Sequence, residues 1–396
     1  MKNALLIIAL IAVISFLIAR FIDSGAPLPA ASEAIDSDSQ LSGLLGSERV
    51  EGYAMASEAR AFRFPEDHGP HRDFRNEWWY LTGNLDSERG QRFGYELTFF
   101  RFSLRPGAQV AASGQAGSNW QTNQVYIAHF AVTDEKKEQF HVEQKFSRGA
   151  LGLAGAQTAP FRVWIEDWSI RQSQQNGMEA GAFEDWQLSA SGNGLALDLN
   201  LVADKPPVLN GVAGLSRKSA AEGNASYYYS ITRMRSAGTL QIAGETHAVA
   251  GMSWLDREWS SSALAADQQG WDWFALQLSD GSDLMFYNIR KNDGSQDQYS
   301  AGTWISGDGQ ARHLNRDDVV IRVTDEWQSP AGGAYPARWE IKVKALDLML
   351  TVTPVIAGQE LITTVRYWEG AVDVGGRRNQ QPIEGRGYVE LTGYSQ

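Results

Sequence analysis

From Glu77 onward the chain alternates large apolar residues with small or polar ones at a period of two. Glu77 to Leu85 is followed by the turn Asp86-Ser87-Glu88-Arg89-Gly90, then by Phe93 to Phe102, where Phe93, Tyr95, Leu97 and Phe99 mark every second place. Successive side chains of a strand point to opposite faces, so the pattern predicts a β-hairpin. The same arrangement returns with Trp271 to Leu278, a turn at Asp280-Gly281 and a return strand from Leu284 to Arg290. Between the hairpins, Gln124 to Thr133, Phe161 to Arg171, Trp186 to Ala190, Leu195 to Val202 and Tyr227 to Met234 have strand length and are separated by Gly, Asp, Asn and Pro. Further strands are expected at Trp339 to Lys344, Leu348 to Val355, Tyr367 to Val374 and Gly387 to Thr392.

The pattern differs before residue 56. Lys2 precedes an unbroken apolar or small run from Ala4 to Ala19, closed by Arg20. It is slightly short of the roughly 20 residues a spanning helix prefers, so it reads as a signal anchor or a cleaved signal peptide over residues 1–20. Residues 21–55 are rich in Ala, Ser, Gly and Asp and read as a flexible linker. The rest is expected to form two domains, 56–237 and 238–396, divided where Arg235 to Thr239 interrupts the aromatic pattern. Each would be opened by a Trp-rich acidic segment, Glu77-Trp78-Trp79-Tyr80 in one and Trp254-Leu255-Asp256-Arg257-Glu258-Trp259 in the other, a weak internal repeat. The fold class is mostly β: two tandem lipocalin-like antiparallel barrels after an N-terminal apolar helix, with a two-sheet sandwich as the alternative.

Composition narrows the function. The 396 residues suit two cores, and 39 glycines fit many tight turns. A net charge of −12, without a Lys/Arg cluster, repels polyanions and excludes nucleic acid as the expected partner. The absence of cysteine excludes disulfides, thiolate metal sites and a cysteine nucleophile. No phosphate loop, dinucleotide fingerprint or Gly-x-Ser-x-Gly elbow stands in a strand-to-helix setting, and no cofactor is expected.

Two clusters carry candidate chemistry. His68, His71 and Glu77 could supply zinc ligands, but Pro70 between the histidines opposes the helix that such histidine pairs use, and no metal is expected. The bland alternative closes a barrel end with them. Alternation places Trp254, Asp256 and Glu258 on one strand face and Leu255, Arg257 and Trp259 on the other. If the acidic face lines a barrel interior, like charge and burial raise one carboxyl's pKa and leave a general acid beside an ionised base. The alternative is structural, with Arg257 or Arg233 pairing Asp256 or Glu258. Asp256, Glu258, Glu77 and His71 are therefore the candidate catalytic residues. With 14 Trp, 13 Tyr and 16 Phe, the chain holds more rings than two small cores require. Trp78, Tyr80, Trp254, Trp271, Trp273 and Tyr287 are the candidate ligand-binding residues, as ring faces suit an extended apolar ligand or a developing carbocation.

The stretches Asp67-His68-Gly69-Pro70-His71, Glu77 to Gly83, Trp254 to Trp259, Tyr367-Trp368-Glu369-Gly370-Ala371-Val372 and Gly387 to Tyr394 together resemble the AttH-like family, whose relatives include carotenoid 1,2-hydratase. The resemblance implies paired lipocalin-like barrels with a ligand cleft inside or between them. In the hydratase branch it implies addition of water across a terminal double bond of an acyclic carotenoid. The chain is thus expected to be a membrane-anchored or secreted protein on the periplasmic side of a bacterial envelope. It would bind a lipid, isoprenoid or polyene as a hydratase or hydrolase; alternatively it would be a non-catalytic carrier serving a membrane transport complex, or a filled structural adaptor.

Overall fold

The computed structural model describes residues 51–107, 122–173, 184–262 and 264–394. The apolar run from Ala4 to Ala19 and nearly all of the expected linker lie outside the described residues. Among the described residues no helix is long and apolar enough to cross a membrane. Regular structure there is almost all antiparallel strand, gathered into sheets of thirteen and ten strands.

The first sheet runs in space from Gln139–Arg148 through Gln124–Asp134, Arg92–Ser103 and Asn76–Ser87 to Glu245–Ser260. It continues through Ala225–Ile242, Leu195–Ala203, Asp185–Gly192, Trp168–Gln172 and Arg162–Ile165 to Ala154–Gln157. It curls until its ends face each other and is nearly a barrel. Lys145 near one end pairs with Glu166 at 3.1 Å and with Asp167, both in the turn before Trp168, while Asn193 donates to the Glu143 carboxylate at 2.9 Å. The second sheet follows the order Ala311–Asn315, Ala301–Ile305, Asp283–Lys291, Gln268–Leu278, Gln381–Leu391, Arg366–Arg378, Leu348–Pro354, Ala334–Val343, Val319–Gln328.

Both expected hairpins form, with Leu81 opposite Leu97 and Trp273 opposite Tyr287. Three expectations need correction. The two Trp-rich acidic segments do not open separate domains but pair with each other, Glu77 opposite Trp259, Trp78 opposite Glu258, Trp79 opposite Arg257 and Tyr80 opposite Asp256. Each has groups to bury on both faces, which suits a central strand rather than the edge of a new unit. The aromatic gap at Arg235 to Thr239 lies inside the Ala225–Ile242 strand. A Cβ on Gly238 would come within 2.0 Å of the Asp198 carbonyl oxygen, so the small residues there serve close strand packing, not a linker. Finally, Phe161 to Arg171 is two short strands with a turn between them, at which Glu166 takes a positive φ of 55°.

The excess of rings is explained by a third apolar layer. Trp79, Phe93, Tyr95 and Trp259 pack inside the first sheet, and Phe274, Trp339 and Trp368 inside the second. Tyr80, Tyr228, Trp254, Trp273, Met285 and Tyr388 lie between the sheets, back to back with both cores. Burial of each such side chain contributes roughly 1.5–3 kcal/mol. Polar ties cross the same layer: Asn84 donates to the Gly387 carbonyl at 3.0 Å, Arg92 pairs with Asp373 at 2.5 Å, and Lys205 with Asp283 at 2.8 Å.

Glu77 closes one end of the first shell. Its side chain is fully buried between Arg101 and Arg257, and it accepts the His71 backbone N–H at 3.0 Å. Arg101 also donates to the Phe74 carbonyl at 2.9 Å and Arg257 to the Gly69 carbonyl at 2.7 Å, so the ion cluster pins the 69–74 segment over the sheet. Burial alone would raise the Glu77 pKa, but Arg101 and Arg257, helped by His71, hold it well below the ordinary glutamate value. Replacing Glu77 by Gln leaves two buried guanidinium groups without a counter-charge and is expected to cost about 3–5 kcal/mol. The measurement is the urea midpoint; an unchanged midpoint would show the cluster to be dispensable. Because the folded pKa lies below the unfolded one, this stabilisation is present above the unfolded value and is lost as pH falls through the folded one. Wild-type stability should therefore decline below about pH 4.3, with a Glu77 contribution that the variant lacks.

Candidate active site between the sheets

The outward face of the Glu245–Ser260 strand carries Trp254, Asp256 and Glu258, while Leu255 and Trp259 pack into the first core. The alternation is as expected, but the acids do not line a barrel interior. The second sheet packs on the outside of the first, and the acids face the layer between them.

Two rows of cross-strand neighbours meet in that layer. On the first sheet the row is Ser230, Asp256, Tyr80, Thr98 and His129; on the second it is Tyr287, Trp273, Glu390 and Glu369. Directly opposed residues of an antiparallel pair project to one face, so register alone brings these groups together. Of these, Asp256, Tyr80, His129, Tyr287, Trp273 and Glu390 line a cavity of about 150 Å³, to which Trp78, Glu258 and Trp271 also contribute. A space of that size takes about one aromatic ring.

Asp256 is 3% exposed. Oδ1 accepts the Ser230 hydroxyl at 2.5 Å and the Trp254 indole N–H at 2.7 Å, and Oδ2 accepts the Tyr228 hydroxyl. Neither arginine of the structural alternative reaches it: Arg257 goes to Glu77, and Arg233 to Asp283 at 2.8 Å. Burial pushes its pKa up to about 7; the hydrogen bonds from Ser230, Tyr228 and Trp254 oppose the rise and the Glu258 charge adds to it. Glu258 has a cationic partner, Lys218 at 3.1 Å, and also accepts the Ser226 hydroxyl. Lys218 lies 4.2 Å from the centre of the Tyr287 ring. Burial would lower the Lys218 pKa, but Glu258, Tyr287 and Asp256 together hold it above the ordinary lysine value.

Of the six expected ligand-binding residues, Trp78, Tyr80, Trp271, Trp273 and Tyr287 line the cavity. Trp254 does not; its indole holds Asp256. Glu77 and His71 are also absent from the lining. His71 stacks on Trp259 with ring centres 3.7 Å apart and meets Asp67 at 3.0 Å, in the ion cluster at the end of the first shell. His68 turns instead to the Tyr229 hydroxyl at 2.6 Å and Glu184 at 2.7 Å, so His68, His71 and Glu77 do not converge on one point.

Sequence reasoning missed Tyr228, Lys218 and Glu390 in the cavity wall. For Tyr228 the signal was present: Tyr227 and Tyr229 pack in the first core, and alternation turns the middle ring of the run outward. Glu390 accepts the Trp271 indole N–H at 2.7 Å. Burial raises its pKa to about 7, with Asp256 and Glu258 adding to the rise and Trp271 opposing it.

A family profile described as AttH-like matches residues 55–394. A crystal structure of an AttH from Nitrosomonas europaea is 33% identical, with a TM-score of 0.74, covering 86% of this chain and 99% of its own. A crystal structure of kievitone hydratase from Nectria haematococca shares the fold at 15% identity and a TM-score of 0.62, covering 88% of this chain and 98% of its own. No curated protein matches.

The environment of Asp256 predicts a pH-dependent effect of Asp256→Asn. Asparagine mimics the neutral acid: Oδ1 keeps the Ser230 and Trp254 donors, and Nδ2 donates to the Tyr228 oxygen. A folded pKa raised above the unfolded one gives stability that is fully present below the unfolded value and drains away as pH rises to the folded one. Variant and wild type should therefore match near pH 4 and diverge above it, the variant being more stable by a few kcal/mol, up to about 4, near pH 8. Thermal unfolding across that range is the check, and a constant difference would mean that Asp256 does not titrate near neutrality.

Proposed function

The chain belongs to the AttH-like family, and from that premise we propose that it binds an apolar isoprenoid or polyene between its sheets and adds water across one of its carbon–carbon double bonds by acid catalysis. The observation that carries this reading is a buried carboxyl, Asp256, held by hydroxyl and indole donors with no cationic partner among the described residues, on the wall of an aromatic cavity.

In the proposed reaction neutral Asp256 protonates one alkene carbon. The π pair becomes the new C–H bond, and the positive charge left on the neighbouring carbon rests against the ring faces of Trp273, Tyr80 and Tyr287. The proton leaves from Oδ2, because Oδ1 is tied by an indole N–H that can only donate. Tyr228, on Oδ2, also accepts the Trp273 indole N–H at 3.1 Å, which fixes the ring that faces the charge. Glu258, Ser226 and Lys218 form the polar end of the cavity, where water is held. The shared fold of a protein that is itself a hydratase supports the reaction class. Hydration is favoured over ester hydrolysis because His129, which lines the cavity, bonds the Tyr367 hydroxyl at 2.7 Å rather than a serine. The proposal extends to the setting: two lipocalin-like shells on the periplasmic side of an envelope, tethered by the N-terminal apolar segment and serving a membrane transport complex.

The test uses the full chain with squalene in detergent micelles, and product mass as the readout. A mass gain of one water is expected, and Asp256→Asn should lower turnover about 10²–10⁴-fold while still binding squalene. Unchanged turnover in that variant would remove Asp256 from the mechanism. Squalene bound by the wild type and released unaltered would favour the carrier.

A further inference from the structure

Water that adds to a carbocation must lose a proton, and among the described residues the first-sheet acceptors that line the cavity already have partners: both ring nitrogens of His129 are engaged, by Tyr367 at 2.7 Å and by Gln144 at 2.8 Å. Asp256 is the donor. Glu258 already shares Oε1 with an ammonium and a hydroxyl. The second sheet contributes a different carboxyl to the cavity, that of Glu390. Its Oε1 takes the Trp271 indole N–H at 2.7 Å, whereas no described hydrogen bond engages Oε2. Trp271 is itself a cavity wall, so the bond fixes the carboxyl against the space where the reacting carbons would lie.

The neighbours of Glu390 suit it to accept a proton. Glu369 stands directly opposite on the adjacent strand, which places the two Cβ atoms about 4.5–5.5 Å apart on one face. Glu369 is fully buried beside the Tyr80 and Tyr367 hydroxyls, and Glu96 from the facing sheet is fully buried beside the Thr98 hydroxyl; among the described residues no cation pairs with either. An ionised carboxylate without a cationic partner in such a layer is costly, and like charges this close do not both persist. Burial and the neighbouring carboxyls push the pKa values of Glu96 and Glu369 well above the ordinary range. Burial, with the Asp256 and Glu258 charges adding to it, likewise disfavours the anionic form of Glu390, which makes it a stronger base than a solvated carboxylate.

We propose that Glu390 accepts the proton that water releases as it adds, so that the acid of the reaction comes from one sheet and the base from the other. The inference rests on the hydration reading. The new C–H bond takes its proton from Asp256 and its electrons from the π bond; the new C–O bond takes a lone pair of water. The O–H bond that breaks leaves its pair on oxygen and its proton on Glu390. The cycle ends with Asp256 ionised and Glu390 neutral, and exchange with solvent restores both. Neither sheet alone holds a competent site, which accounts for a cavity placed between the shells.

The experiment is the pH profile of kcat/KM for squalene hydration by the full chain, with Glu390→Gln and Glu390→Ala beside the wild type. The wild type should give a bell near neutral pH, rising as Glu390 loses its proton and falling as Asp256 does. Glu390→Gln keeps an oxygen for the Trp271 N–H; it should lose about 10²–10⁴-fold in kcat and lack the rising limb while keeping the falling one. Added formate should restore part of the rate to Glu390→Ala, as a diffusible carboxylate replaces the missing one. A Glu390→Gln profile with both limbs and near wild-type kcat would overturn the assignment, as would a change confined to KM without formate rescue. A wild type that never hydrates squalene would instead overturn the hydration reading and this assignment with it.

Discussion

The structure depends on one pairing, that of Asn76–Ser87 with Glu245–Ser260, in which neither face is left to solvent where residues 76–83 meet 253–260. One face of this central ribbon builds the first core with Trp79, Leu81, Leu255 and Trp259. The other carries Tyr80, Trp254 and Asp256 into the layer that meets the second sheet. Because side chains alternate strictly, a slip of one residue would drive Arg257 into the site and Asp256 into the core. Core packing and the geometry of the proposed site are thus set by the same register.

The ribbon also shows how neighbouring residues give like groups opposite electrostatic fates. Glu77 and Asp256 are both buried carboxyls on this pair of strands. Glu77 points inward, where two guanidinium groups more than offset its lost hydration. Asp256 points outward, where hydroxyl and indole donors do so incompletely. Burial is common to both, so the presence or absence of a cation decides the direction of each shift. A perturbed carboxyl in a cavity is a candidate for chemistry, whereas one locked in an ion cluster is a candidate for architecture. Glu77 and Asp256 divide along that line.

Local order was legible in the sequence, and long-range order was not. The period-two pattern gave the hairpins and the faces of Trp254 to Trp259, because those follow from alternation within one strand, and the excess of rings near the acidic motifs pointed to five residues that line the cavity. It did not give the partners of those strands. The segments at Glu77 and Trp254 look alike because both are central strands with two buried faces, and single-chain reasoning took the likeness for repetition. Gly238 was similarly ambiguous: a small residue in an aromatic run marks a break or a close crossing, and only the neighbouring strand decides. Glu390 was hidden for the same reason. Its proposed role depends on a sheet-to-sheet contact, and nothing in the segment from Gly387 to Tyr394 distinguishes that acid from an ordinary solvent-facing one.

The spatial order of the first sheet also constrains how the chain acquires its shape. Glu245–Ser260 is its last strand in sequence yet lies near its middle, between Asn76–Ser87 and Ala225–Ile242. Ala225–Ile242 joins it through a tight hairpin, but during synthesis Asn76–Ser87 must wait with unsatisfied backbone groups on that side, a state that invites mispairing and aggregation. A pairing this distant in sequence also forms slowly. A fragment ending before residue 245 would lack the keystone of its own barrel, so the first shell is not a separable module, however complete its strand count looks.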